Sequence, residues 1–245
     1  MTTLVVLAEP PVAGETLPEL HEVLPPEDTA ELYAAMLADV CELLQHGDAD
    51  VLVNYPPPEE VPDGVDPEAA LREVIEPAVQ SPGEVRYEAQ VGTSKAARIG
   101  NAVTHLLETE GEMTAGVVEP TVPFLRREHV GSAAMKLRSS DVVIGPSTDG
   151  RITFAAFGEP IDFTGVLEPP ALETMTARAV DAGHDVDFLP LLPRVETPGD
   201  LASAVSLARA RAAAGRLVPA RTATQLSSLS DGARSSSISP SSDNA

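Results

Sequence analysis

The sequence contains no tryptophan, one cysteine and only two lysines, Lys95 and Lys136, and aromatic residues make up just 3% of it. The lone Cys41 excludes an internal disulfide and any cysteine-rich metal site. Clustered basic charge is missing too: Arg126 and Arg127 are adjacent, but Glu128 follows them directly. Binding a phosphate backbone needs a basic face, so nucleic acid is not an expected partner. No stretch approaches the roughly 20 apolar residues of a membrane span. The N-terminus lacks the positive region and long apolar segment of a signal peptide. Together these absences predict a cytoplasmic protein without a membrane partner.

What is abundant is negative charge. The 245 residues carry 38 Asp and Glu against 16 Lys and Arg, a net charge of −22, and sixteen acids precede the first basic side chain, Arg72. Carboxylates hold water and keep a folded chain soluble once salt has screened their mutual repulsion, so the composition predicts adaptation to high salt. An acidic surface built for a basic partner is the alternative. The charge says more about habitat than about activity.

Two periodicities alternate along the chain. "TTLVVLA" (2–8) is a continuous apolar run, the mark of a strand buried on both faces. Residues 27–47 follow with Leu32, Met36, Val40 and Leu44 at helical spacing and Gly47 as a stop. Cys41 lies on that helix and is expected to be buried. Further strands are predicted at 50–55, 84–90 and 114–118, separated by helices near 67–79 and over 94–111, where Ile99, Val103 and Leu106 share a face. A helix over 124–138 leads to the strand "DVVIGP" (141–146), and "RITFAAF" (151–157) returns after only a few residues. So short a connection implies antiparallel pairing, because a parallel crossover needs a dozen residues or more. A helix over 171–183, a strand over 185–190 and a helix over 197–215 complete the body. The expected fold is α/β, a three-layer αβα sandwich with a mixed, mostly parallel sheet. Nine of the nineteen residues from Ser227 to Ala245 are serine. Such a composition cannot bury a core, so the expected organisation is a body over 1–226 and a disordered tail over 227–245.

Three segments stand in a telling order: the Pro- and Gly-punctuated loop at 8–26, "IGPSTDG" at 144–150 and "RVETPGDL" at 194–201. With them the chain resembles a family of glycosyltransferase-like proteins with the GT-A, nucleotide-diphospho-sugar transferase fold, relatives of the guanylyltransferases of cofactor biosynthesis. The likeness spans about residues 3–214 and suggests a divergent, halophilic member.

The resemblance implies a first loop that grips nucleotide phosphates with basic residues. Pro11, Val12, Gly14 and Leu20 fit that pattern, but Glu9, Leu17 and Glu19 stand at its basic positions. Gln90 and Arg98 match a turn ending in Arg ahead of a helix, while Ser94 replaces an acid. Lys95 is an addition, one turn before Arg98; the two are placed to face one anion, or to sit in solvent beside acids. Val118 stands where the family carries a metal-binding Asp, with Glu119 next to it. Gly145, Pro146, Asp149 and Gly150 agree with the fourth family segment, and Arg151 follows where Gly is usual. Glu196 occupies an acidic family position.

By this resemblance Asp149 is the candidate catalytic base, and Asp149, Glu196 and Glu119 are the candidate ligands of Mg²⁺ or Mn²⁺. Gly14, Lys95, Arg98 and Arg151 are the candidate contacts to a nucleotide or nucleotide sugar. Each has a plainer reading. Asp-Gly is a favoured turn pair, and Thr197, Pro198 and Asp200 suit an N-cap, a first helical position and an N3 acid. The leading functional expectation is a metal-dependent glycosyltransferase-like enzyme with a degenerate site, using a nucleotide-activated donor. The alternative is a non-catalytic paralogue that keeps the fold for ligand binding or assembly, with homo-oligomerisation open.

Overall fold

An apolar run covered on both sides makes a central strand, and β1 (Thr2–Leu7) is that strand in the computed structural model, which describes residues 2–47 and 49–236. The other strands are β2 (Asp50–Tyr55), β3 (Arg86–Ala89), β4 (Thr114–Val118), β5 (Val142–Pro146), β6 (Ile152–Phe157) and β7 (Val186–Phe188). Between and after them come α1 (Pro26–Gln45), α2 (Pro67–Ile75), α3 (Lys95–Thr104), α4 (Arg127–Lys136), α5 (Ala171–Asp181), α6 (Pro198–Ala213) and α7 (Ala220–Ser236). The seven strands form one sheet in the order β3-β2-β1-β4-β6-β5-β7. Strand β6 is antiparallel to both its neighbours, β4 and β5, as the short connection at 147–151 requires. The remaining pairings are parallel. This is the expected three-layer α/β sandwich with a mixed, mostly parallel sheet.

Alternate side chains of β1 feed opposite cores. Leu4 and Val6 join Leu37, Val40, Leu44, Leu71 and Phe154 on one face of the sheet. Val5 and Leu7 join Ile99, Val103, Ile144, Phe157 and Met175 on the other. Register is tight at the β5–β6 turn, where Gly145 lies opposite Phe154. A Cβ at Gly145 would stand 2.8 Å from Phe154 Cβ and 3.3 Å from its carbonyl oxygen. Gly145→Ala is therefore expected to cost about 1–3 kcal/mol by overpacking. A denaturant midpoint that falls at unchanged slope is the reading that checks it.

Helix α1 departs from a simple amphipathic stripe. Residues four apart drift by about 40° per step on a 3.6-residue turn. Leu32 and Met36 thus leave the sheet side, where Val40, Cys41 and Leu44 sit, and enter a third cluster with Leu20, Phe124, Val195, Ala204 and Leu226. Helix α7 supplies Leu226 and closes that cluster, a helix that serine-rich composition did not foretell. It continues to Ser236, ten residues into the segment expected to be a disordered tail from Ser227 onward. The remainder of that expected tail, 237–245, lies outside the described residues.

Two other boundaries differ. The expected helix over 94–111 stops at Thr104 and widens into a π turn over His105–Thr109. The helix expected from 124 starts at Arg127, because Phe124 and Leu125 turn into the core first. Among the described residues no helix is long and apolar enough to cross a membrane.

Candidate functional site

The chain builds β1, β2 and β3 outward to one side, then places β4 on the other side of β1. The carboxyl ends of β1 and β4 lie together, with Val6 in register with Val118. In open α/β sheets the crevice beyond such a reversal is where ligands bind. The loop after β1, Glu119 after β4, the N-terminal end of α3, the β5–β6 turn and the entry to α6 are the parts that bear on it.

The first loop folds on itself. Glu15 and Thr16 donate their backbone N–H groups to the Val12 carbonyl at 3.1 and 3.0 Å, and the Thr16 hydroxyl donates to the same oxygen at 2.9 Å. These amides are thereby withdrawn from any anion. Gly14 has φ +91°, a left-handed value that explains the glycine, and no atom lies within 4 Å of where a Cβ would stand. Glu9 donates its N–H to the buried Tyr33 hydroxyl at 2.9 Å, pinning the loop to α1. Burial and the neighbouring Glu9 and Glu119 carboxylates push the Tyr33 phenol far above its usual range, so it stays protonated.

Lys95 and Arg98 do not converge. Ser94, standing where the resemblance places an acid, caps α3 by accepting the Ala97 N–H at 3.2 Å. Lys95 Nζ donates to Glu119 Oε2 at 2.9 Å. Arg98 folds back, donating to the Gly92 carbonyl and to Gln90 Oε1, both at 3.0 Å, and pairing with Glu60. Only Lys95 points to the end of β4.

The expected metal ligands do not form a metal centre either. Asp149 adopts a left-handed conformation, φ 57°, and its side chain is 85% exposed. Glu119 is buried beneath Lys95. Glu196 pairs with Arg194 and lies 3.5 Å from Arg151. Among the described residues no three His, Cys, Asp or Glu side chains gather in a way that could hold a metal ion. The residues present do not fit the Mg²⁺ or Mn²⁺ centre that the resemblance implies. The reason is local: the turn sends Asp149 into solvent, and side-chain cations already occupy the other two carboxylates.

Arg151 instead organises this end of the sheet. Its Nη2 donates to both carboxylate oxygens of Asp200 at 3.0 Å and to Thr148 Oγ1 at 2.9 Å. Asp200 caps α6 as well, accepting from Thr197 N–H at 3.1 Å while donating its own N–H to Thr197 Oγ1 at 3.1 Å. The capping reading of Thr197, Pro198 and Asp200 therefore holds, and Asp200 has a second task besides.

The residue that sequence reasoning missed is Arg194. Its side chain is 11% exposed, it pairs with Glu196, and its Nε is buried without a partner. Burial draws the guanidinium below its ordinary pKa; Glu119, Asp200 and Glu19 oppose the shift and Arg151 adds to it. A signal was present. Arg194 and Glu196 are opposite charges only two positions apart in the sequence.

No protein-family model matches the sequence, and no curated protein matches it. Solved structures do. A proposed nucleotide-diphospho-sugar transferase from Desulfovibrio desulfuricans superposes with a TM-score of 0.72 at 21% identity, covering 86% of this chain and 87% of that one. The fold is that of the nucleotide-diphospho-sugar transferases. A cytidylyltransferase from Leptospira borgpetersenii aligns over 99% of both chains at 11% identity and a TM-score of 0.51. The CMP:2-keto-3-deoxy-manno-octonic acid synthetase, solved with CTP, aligns over 86% of this chain and 99% of its own at 12% identity and 0.50. Such distant likeness carries the architecture, not the activity.

Proposed function

We propose that the protein binds a nucleotide or nucleotide sugar in the switch-point crevice, without a divalent metal, as a non-catalytic paralogue of nucleotide-activated transferases. The observation that carries this reading is the pairing of the candidate acids: Glu119 with Lys95, and Glu196 with Arg194 and Arg151. A metal-assisted transferase needs free carboxylates to hold an ion that neutralises the leaving diphosphate. Here the side-chain cations neutralise those carboxylates, and Lys95, at 48% exposure, is the one most open to a ligand phosphate. The exposed Asp149 has only a 3.8 Å ion pair with Arg151 Nη2; among the described residues it has none of the hydrogen bonds that orient a positioned base.

Acids at the loop weaken such binding. Two unit charges 4 Å apart interact by about 4 kcal/mol at an effective dielectric of 20. Calorimetry with UDP-, GDP- and CDP-sugars in molar KCl tests the proposal. Binding is expected to be equal with Mn²⁺ and with EDTA, to be unaccompanied by turnover, and to tighten at least ~10-fold on combining Glu9→Lys with Glu19→Arg. Loss of binding in EDTA would instead support the metal-dependent transferase. No binding by either the parent or the double variant would remove nucleotides from the crevice altogether.

A further inference from the structure

In a chain with 38 acids among 245 residues, the stretch from Leu201 to Ser230 has none, yet it carries Arg209, Arg211, Arg216 and Arg221. Arg221 serves Asp39 and Glu42. The other three gather at the far end of α6. Gly215, at φ +63°, ends that helix, its N–H on the Ala212 carbonyl at 3.0 Å and the Arg216 N–H on the Arg211 carbonyl at 2.8 Å. The two residues joined by such a cap commonly make an apolar contact. Here both are arginines. Arg209 and Arg216 are exposed, and among the described residues neither has an ion pair; Arg211 lies over the Phe124 ring, 5.7 Å from its centre. Leu217 follows, 90% exposed. Like charges without an acid, beside an uncovered leucine, suit a partner that is both acidic and apolar.

That chemistry stands at the other end of the same helix. The turn Pro18–Glu22 packs on α6, with Leu20 buried in one cluster with Ala204 and Ala208. It follows β1, and the segment entering α6 joins the end of β4 through the Val195 N–H on the Thr121 carbonyl at 2.8 Å, so both lie at the crevice end. Glu19 and Glu22 are exposed, and Val23 is 53% exposed. The 16 residues of α6 span about 24 Å between these acidic and basic ends. In between, Ala202, Ser206, Ala210 and Ala213 are exposed and small, so another helix can lie close. A face with opposite signs at its two ends is self-complementary under a two-fold rotation.

We propose that this face is a homodimer interface, in which α6 of one protomer lies antiparallel on α6 of its partner. The rotation brings Arg209, Arg216 and Leu217 of each protomer to Glu19, Glu22 and Val23 of the other. In molar salt the Debye length is about 3 Å, so only charges in contact count, and these pairs are contacts. The interface needs no nucleotide, metal or turnover, and stands apart from the function of the crevice.

Sedimentation equilibrium of the full chain in molar KCl is the test. The parent is expected at about twice its chain mass of 25.6 kDa. Arg209→Glu combined with Arg216→Glu is expected to weaken dimerisation at least ~10-fold, because like charges then meet across the interface. Glu19→Arg with Glu22→Arg is expected to do the same from the acidic end. An equal mixture of the two double variants is expected to regain the parent's association, since every reversed group then meets an opposite one. A monomeric parent, double variants that associate as tightly as the parent, or a mixture that stays monomeric would each overturn the proposal. Circular dichroism checks that the variants are folded. If either double variant is not, Leu217→Asp decides: weaker dimerisation supports the proposal and parent-like dimerisation overturns it.

Discussion

Diluting KCl from molar concentration to about 0.1 M, where the Debye length is about 10 Å, is expected to lower the melting temperature by about 10 °C or more. The cause is the excess of acids over bases, 38 against 16. Even with every base engaged one-to-one, most acids would have no cation of their own. The ion pairs that do form are mostly exposed, such as Arg72 with Glu68 and Glu76 and Arg86 with Glu88. Each such pair contributes about 0–1 kcal/mol, too little to offset the summed repulsion. At roughly 2–4 °C per kcal/mol for a chain of this size, a loss of about 3–5 kcal/mol gives the stated shift. Melting curves in a KCl series, followed by circular dichroism, measure it. A melting temperature unchanged across the series would sink the high-salt account.

Substituting Asp39 should have an effect of similar size by a different route. Helix α7 follows Pro219, whose side chain has no acceptor to cap it. The cap comes from α1 instead. Asp39, 6% exposed at its side chain, accepts the Thr222 N–H and hydroxyl at 2.8 Å each, the Arg221 N–H at 3.2 Å and Arg221 Nη1 at 3.1 Å. Asp39→Ala strands those donors, Thr222 among them fully buried. Breaking a buried charged group of this kind costs about 3–5 kcal/mol. We expect a drop in melting temperature of about 10 °C and easier proteolysis between α6 and α7. Glu42→Ala is the control: Glu42 also binds Arg221, at 2.6 Å, but is 38% exposed, and its loss should cost at most about 1 kcal/mol. Equal effects of the two substitutions would mean that Asp39 does not hold α7.

The local chemistry of the chain by itself determined the sandwich. The unbroken apolar run of β1, the helical spacing of Ile99, Val103 and Leu106, and the short β5–β6 connection each carry their own physical reason. Each appears in the structure as that reason requires. The Thr197–Asp200 cap was legible for the same cause, since its partners are three residues apart. Tertiary structure alone decided the rest. Helix α7 owes its start to an acid 183 residues before Thr222 and its burial to Leu32 and Met36, which the drift of α1 turns away from the sheet. The candidate acids could be placed in sequence, but not the cations that would reach them: Lys95 crosses to Glu119, and Arg151 spans to Asp200 and Glu196. A sequence motif fixes which groups are present near a turn. Whether a carboxylate is free for a metal depends on long, flexible side chains arriving from other elements, and only the packed chain brings them there.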